Sequence, residues 1–231
     1  SYIGKHWGPK PSGEIRTLLR RDNILKTVCR NNRSVMLANA YPPSFFQHLQ
    51  SGRRLPSSIQ FAFQTTGTRL FTIEDLRAGH ALASDFTGEG WGSYLGFEDI
   101  PILSLHEAGK RLALLAQETD LLLFDCWQTD VVGHRGSMNV AIDTIERLDA
   151  VIGGIIASWS ETDGLIVIVS DHGNLEDYAR WLSFAAEIEA GVPPASMDVT
   201  RADPTRRNTK ISEITGPLGT QHMPLLPMTH L

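Results

Sequence analysis

Apolar and polar positions are patterned most clearly in the second half of the chain. Leu105, Ala108, Leu112 and Leu115 recur at helical spacing and predict a helix over residues 105–117. Leu121 to Trp127 is a largely apolar run of strand length, bounded by polar residues. Ser137 is placed to cap a long helix carrying Met138, Ile142, Ile145, Leu148, Ile152, Ile155 and Trp159 on one face. Leu165 to Val169 is a second β-branched apolar run. Strand, helix and strand, with both strands continuously apolar, predict a right-handed parallel crossover.

The first half reads as shorter, mixed elements. Ser12 and Asp22 are predicted to cap helices running to about Arg20 and to Cys29. Ser34 to Asn39 reads as a short strand that Tyr41-Pro42-Pro43 ends. Helices are expected over Ser44–Gln50 and Ser57–Gln64, and a third from Thr72 to Gly79. Asp85 to Gly92 is glycine-rich and is expected to lie between elements. Tyr178 to Ala190 fits a further helix. After Gly191 the periodicity fails, and six of the 12 prolines fall between Pro193 and Pro227. That tail is expected to be irregular.

Composition narrows the class. The 231 residues are 42% hydrophobic and 20% charged, as in globular proteins. No apolar run approaches the roughly 18 residues of a membrane span. Net charge is -5, and Lys and Arg gather along the sequence only in pairs such as Arg53-Arg54, so neither nucleic acid nor membrane is an expected partner. Cys29 and Cys126 are too few and too far apart for a disulfide framework, which makes the cytoplasm the expected compartment.

The chemistry collects where apolar runs end. Asp130 and His134 follow the first run and are separated by Val-Val-Gly, a glycine-bearing loop that can turn both side chains toward one point. Taken alone, this motif fits an ordinary surface loop better than a metal site. Asp171-His172-Gly173 follows directly on the second run. An ionised Asp at a buried strand end needs a partner, and a cation is one. Asp171 as a helix cap, with His172 as a satisfied core imidazole, accounts for that motif equally well. Two such strand ends joined by one crossover would sit side by side, which favours a metal site for the pair. Gly88-Glu-Gly-Trp-Gly92 does not sit between a strand and a helix as a phosphate loop must.

Asp130-Val-Val-Gly-His134 and Ser170-Asp-His-Gly-Asn-Leu-Glu176 resemble the paired motifs of the metalloenzyme domain of the alkaline phosphatase superfamily. That group includes cofactor-independent phosphoglycerate mutase and phosphopentomutase. Gly4 to Pro11, Asn39 to Pro43 and Asp85 to Trp91 look like its short bacterial members. The resemblance covers about residues 1–177. It implies an α/β core with a mostly parallel sheet flanked by helices, and a smaller inserted α/β cap-like domain. It places the cap-like region at residues 1–104, the second half of the core at 105–190 and a divergent tail at 191–231.

The resemblance also implies two divalent cations, Mn²⁺ or Zn²⁺. Asp130 and His134 would serve one, and Asp171 and His172 the other. A phosphorylated small molecule would be the substrate, with either mutase (isomerase) or phosphatase (hydrolase) chemistry. The family's first metal-binding Asp belongs before Gly4, and its Ser or Thr nucleophile is expected upstream of Ser1. The core is therefore expected to be incomplete at the N-terminus. Thr205 to Thr209 matches a late ligand segment only loosely, with Asn208 in place of the ligand His. His222 and His230 are the tail's candidates for that role. The alternative is a catalytically inactive remnant that keeps the fold and a weak metal site.

Overall fold

The structure is a computed structural model that describes residues 10–159 and 164–170, with the side chains of His134 and Arg135 excepted. Two strands and nine helices are defined among these residues. Helices α1 (Gly13–Arg21) and α2 (Ile24–Arg30) lead into β1 (Val35–Leu37). Helices α3 (Pro43–Gln50), α4 (Ser58–Gln64), α5 (Ile73–Ala78) and α6 (Glu89–Leu95) follow. Then come α7 (Leu105–Gln117), β2 (Leu121–Leu123), α8 (Gln128–Arg135) and α9 (Met138–Ala157).

Most helix starts follow from local capping chemistry. Ser12, Ser57, Thr72, Ser104 and Ser137 each accept a backbone N–H of the first turn. At Ser57, Thr72 and Ser104 a Gln, Asp or Glu three residues on returns a bond to the cap's own N–H. Asn23, rather than Asp22, caps α2. The Asp22 carboxylate instead accepts from the Asn23 N–H and from Arg30. The glycine-rich stretch is not wholly a connector, because its second half winds into α6.

The sheet is parallel, but its partners differ from the expected pair. β1 pairs with β2 in the register Val35↔Leu121, Met36↔Leu122 and Leu37↔Leu123. Chain beyond β1 continues the pairing through Asn39↔Leu82 and Ala40↔Phe71. Side chains alternate across this sheet as strand geometry requires. Val35, Leu37, Leu121 and Leu123 pack with Leu25, Phe45 and Phe63 on one face. Met36, Ala38, Leu122 and Phe124 pack with Phe86, Leu112 and Val151 on the other. Both faces are therefore covered, as in parallel sheets generally. The boundary expected at residues 104 and 105 falls between two strands of this one ladder.

Two expectations fail here. β2 is three residues long, because the chain leaves the ladder after Leu123. Leu165 to Val169 is not a strand: it carries no ladder partner among the described residues and is exposed, with Leu165 at 84% and Val169 at 83%. The crossover expected between these two runs is accordingly absent among the described residues. An apolar run becomes a buried parallel strand only where a neighbouring ladder and covering helices receive it, and nothing described receives this one. The expected helix over 178–190 and the tail from 191 lie outside the described residues. So do Ser1 and Gly4, the positions before which the missing core pieces are expected.

Of the stripe expected on α9, Leu148 and Ile155 pack against the core, but the most deeply buried positions are smaller residues. Ala141, Thr144, Val151 and Gly154 are buried, while Ile142, Ile145 and Ile156 are exposed. The reason is the close crossing with α7. A Cβ on Gly109 would lie 2.0 Å from the Val151 carbonyl oxygen, and one on Gly154 would lie 2.3 Å from that of His106. Backbone contact this tight selects small residues, and no bulky stripe can occupy it.

Candidate metal centre

Asp130 and His134 sit on a helix rather than on a loop. β2 ends at Leu123, four residues follow, and α8 begins at Gln128. Asp130 is in the first turn of α8 and half-buried. His134 lies four residues on along the same helix. Residues so spaced share one helix face, with Cβ atoms about 5–6 Å apart. The helix thus fixes what a flexible loop would leave open, and Gly133, expected as a turn residue, is instead within α8. The carboxylate position lies just past the carboxyl end of a parallel strand, where ligands of α/β folds collect.

The ground beneath α8 is held by polar clasps. Asn39 is 2% exposed. Its side-chain N–H donates to the Asp125 carbonyl at 2.9 Å, and its side-chain oxygen accepts the Asp125 N–H at 2.8 Å. This joins the carboxyl ends of β1 and β2 beyond their ladder. Gln128, the first residue of α8, donates from Nε2 to the Ser84 carbonyl at 3.0 Å. The neighbouring Asp85 carboxylate accepts the N–H groups of Gly88 at 3.0 Å and Gly90 at 2.6 Å. Phe86 between them adopts a positive φ of 68°, a conformation that costs a non-glycine residue about 1–3 kcal/mol. Its ring is fully buried against Phe124, with centroids 5.5 Å apart, which offsets that cost.

Electrostatics sort the remaining groups near the strand ends. Burial pushes the Cys126 thiol up, and the Asp125 charge adds to this, while the backbone N–H groups of Gln128 and Thr129 act the other way. Its surroundings thus favour the neutral thiol over the thiolate. Burial likewise raises the Tyr41 phenol far above its ordinary range. Gln60 and Arg54 oppose that shift, and Asp125 reinforces it. Arg54 is depressed by its own burial and lies over the Phe45 ring at 4.8 Å.

Of the four expected ligands, the structure places Asp130 and the backbone of His134 together. Asp171 and His172 lie outside the described residues, as do His222 and His230. No group of three or more His, Cys, Asp or Glu that could hold a metal ion occurs among the described residues. An Asp and a His on one helix face fit half of a site for a borderline divalent cation. Asn39 and Asp125, which hold the strand ends together, belong to neither of the two metal motifs of the sequence. The available signal was a polar residue interrupting each apolar run.

Comparison with known proteins bears on the same region. Residues 104–214 match the model of the Metalloenzyme superfamily. The 2,3-bisphosphoglycerate-independent phosphoglycerate mutase of Methylobacillus flagellatus is 32% identical over 78 residues, covering 33% of this chain and 15% of that enzyme. The enzyme of the same name from Helicobacter pylori is 38% identical over 71 residues, covering 29% and 14%. That of Shewanella frigidimarina is 31% identical over 98 residues, covering 40% and 19%. The matched parts thus span less than a fifth of the length of these enzymes. No solved structure matches the chain. With its parallel α/β sheet and its match over residues 104–214, just under half of its length, the chain is similar to the Metalloenzyme superfamily and to part of the 2,3-bisphosphoglycerate-independent phosphoglycerate mutases.

Proposed function

We propose that this protein is a metal-dependent phosphoryl-transfer enzyme acting on a phosphorylated small molecule, by mutase or phosphatase chemistry. The carrying observation is Asp130 in the first turn of α8, with His134 one helical turn on, at the carboxyl end of a parallel strand. In this reading Asp130 and His134 hold one divalent cation, Mn²⁺ or Zn²⁺, and Asp171 and His172 hold a second. Bound cations would neutralise the phosphoryl oxygens and lower the cost of forming the attacking oxyanion. The chain's own contribution is position. Asn39 fixes Asp125 and Gln128 anchors the start of α8 to Ser84, so the helix that carries Asp130 is fixed at the strand ends.

One observation supports a second reading, an inactive remnant that keeps the fold and a weak metal site. Leu165 to Val169, which leads directly to Asp171, is exposed and unpaired among the described residues. In that case Asp171 and His172 would lack the rigid strand end that a tight site requires.

Metal analysis of the purified chain, with a phosphomonoester hydrolysis assay and a 3-phosphoglycerate mutase assay, tests both. Binding of Mn²⁺ or Zn²⁺ that is lost in both Asp130→Ala and His172→Ala, together with metal-dependent turnover, supports the enzyme. Binding without turnover supports the remnant. Binding untouched by either substitution overturns the assignment of ligands.

A further inference from the structure

Seven of the chain's 21 Lys and Arg residues, but only two of its 26 acids, lie between Lys10 and Arg33. Folding concentrates them further. A groove of about 590 Å³ runs along α1, α2 and the end of α4, and it is lined in part by Arg21, Asp22, Lys26 and Arg30. A smaller hollow of about 240 Å³ adjoins it, sharing Lys26 and Thr65 and adding Arg20.

The cations here outnumber the acids beside them. Arg33 pairs with Asp120 at 2.9 Å, Arg69 with Asp75 at 2.6 Å, and Arg77 with Asp99 at 2.7 Å. In the groove and its adjoining hollow four cations share one acid, Asp22, which already pairs with Arg30. Arg20 lies 5.2 Å over the Phe61 ring, and Lys26 donates to the Arg20 carbonyl. Arg21 is exposed and has no acid within ion-pair range among the described residues. Two net positive charges therefore line the groove, and Arg20 in the adjoining hollow adds a third, in a protein whose net charge is -5.

We propose that this groove binds a phosphate-bearing anion at a site separate from the metal centre. Guanidinium forks and an ammonium around one concavity suit the spread charge of a phosphate or pyrophosphate group. The groove is open to solvent, so an anion can reach it without any rearrangement of the fold. The groove belongs to α1, α2 and α4, outside residues 104–214 that carry the family match. Arg30, its last cation, precedes β1, whereas Asp130 follows the carboxyl end of β2. The groove's ligand thus does not depend on the metal centre being occupied. A phosphorylated metabolite and a phospholipid headgroup carry the same chemistry, and experiment separates them.

The test is titration calorimetry of the full chain with inorganic pyrophosphate at low ionic strength, alongside sedimentation with phosphatidylglycerol vesicles. Saturable pyrophosphate binding is expected, weakened about tenfold or more in Arg21→Gln/Lys26→Gln, since charge-assisted hydrogen bonds are lost. Both side chains are on the surface, so circular dichroism should show an unchanged fold. Arg33→Gln, whose charge is already paired, and Asp130→Ala, at the metal centre, should bind as the parent does. Vesicle binding that pyrophosphate displaces would assign the headgroup as the source; its absence would assign a soluble phosphoester. No saturable binding in either arm, or binding indifferent to Arg21→Gln/Lys26→Gln, overturns the proposal. Binding lost only in Asp130→Ala would place the anion at the metal centre and overturn it equally.

Discussion

Asn39 on the β1 side and Asp125 on the β2 side are joined by a pair of hydrogen bonds, 2.9 and 2.8 Å, running between one side chain and the other residue's backbone. The pair acts as one further rung of the parallel ladder, set where the two backbones have begun to separate. Asn39→Ala leaves the Asp125 N–H and carbonyl without those partners in a half-buried setting. The expected cost is about 2–4 kcal/mol, two unmet groups at about 1–2 kcal/mol each. Urea denaturation measures it, and a cost below about 0.5 kcal/mol, the range of neutral surface changes, would show that water replaces the clasp.

The α7–α9 crossing rests on Gly109 and Gly154. On an exposed helix, replacing Gly by Ala stabilises by about 1 kcal/mol. Here the new Cβ would overlap backbone atoms 2.0 and 2.3 Å away, and the helices must separate. Gly109→Ala and Gly154→Ala are each expected to destabilise by about 3 kcal/mol or more, with the melting temperature as the readout. Gly153, on the open side of α9 with nothing within 4 Å, is the control, and Gly153→Ala should be neutral or stabilising.

Asp75 predicts part of the acid limb of stability. Its carboxylate receives both guanidinium donors of Arg69 at 2.6 Å and the Thr72 N–H at 2.8 Å. The Arg69 hydrogen bonds, foremost, hold its folded pKa at about 2, below the ordinary 3.8. The depressed group contributes stability that is fully present above about pH 4 and is lost as pH falls toward 2. Asp75→Asn should therefore lower stability at pH 7 and flatten the pH dependence between about pH 4 and 2. A series of denaturation curves across that window gives the answer; an unchanged slope would assign the acid sensitivity to other carboxylates.

Metal linkage offers a check on the proposed function that does not need turnover. A cation that binds the folded chain and not the unfolded one stabilises it by about 2.7 kcal/mol at a hundred times its Kd. Mn²⁺ or Zn²⁺ should raise the melting temperature of the parent chain, and EDTA should reverse the effect. Asp130→Ala should remove most of the increment, whereas Arg21→Gln should retain it. An increment equal in all three proteins would mean that the ion binds elsewhere.

Much of this architecture is legible in the sequence because it is local. Ser12, Ser57, Thr72, Ser104 and Ser137 announce helix starts, since a side-chain oxygen within three residues of an orphan N–H needs no tertiary partner. The motif around Asp130 and its approach from an apolar strand are legible for the same reason. Tertiary contact decided the rest. It paired β2 with β1 across more than 80 residues and left Leu165 to Val169 outside the ladder. It buried Ala141, Val151 and Gly154 of α9 more deeply than Ile142 and Ile145, because two glycines let α7 approach to backbone contact. It also set the end of α4 against α1 and α2, so that cations already close in sequence line one groove. Hydrophobicity specifies that an apolar residue gains by burial; only the packed chain specifies which neighbour can come close enough to bury it.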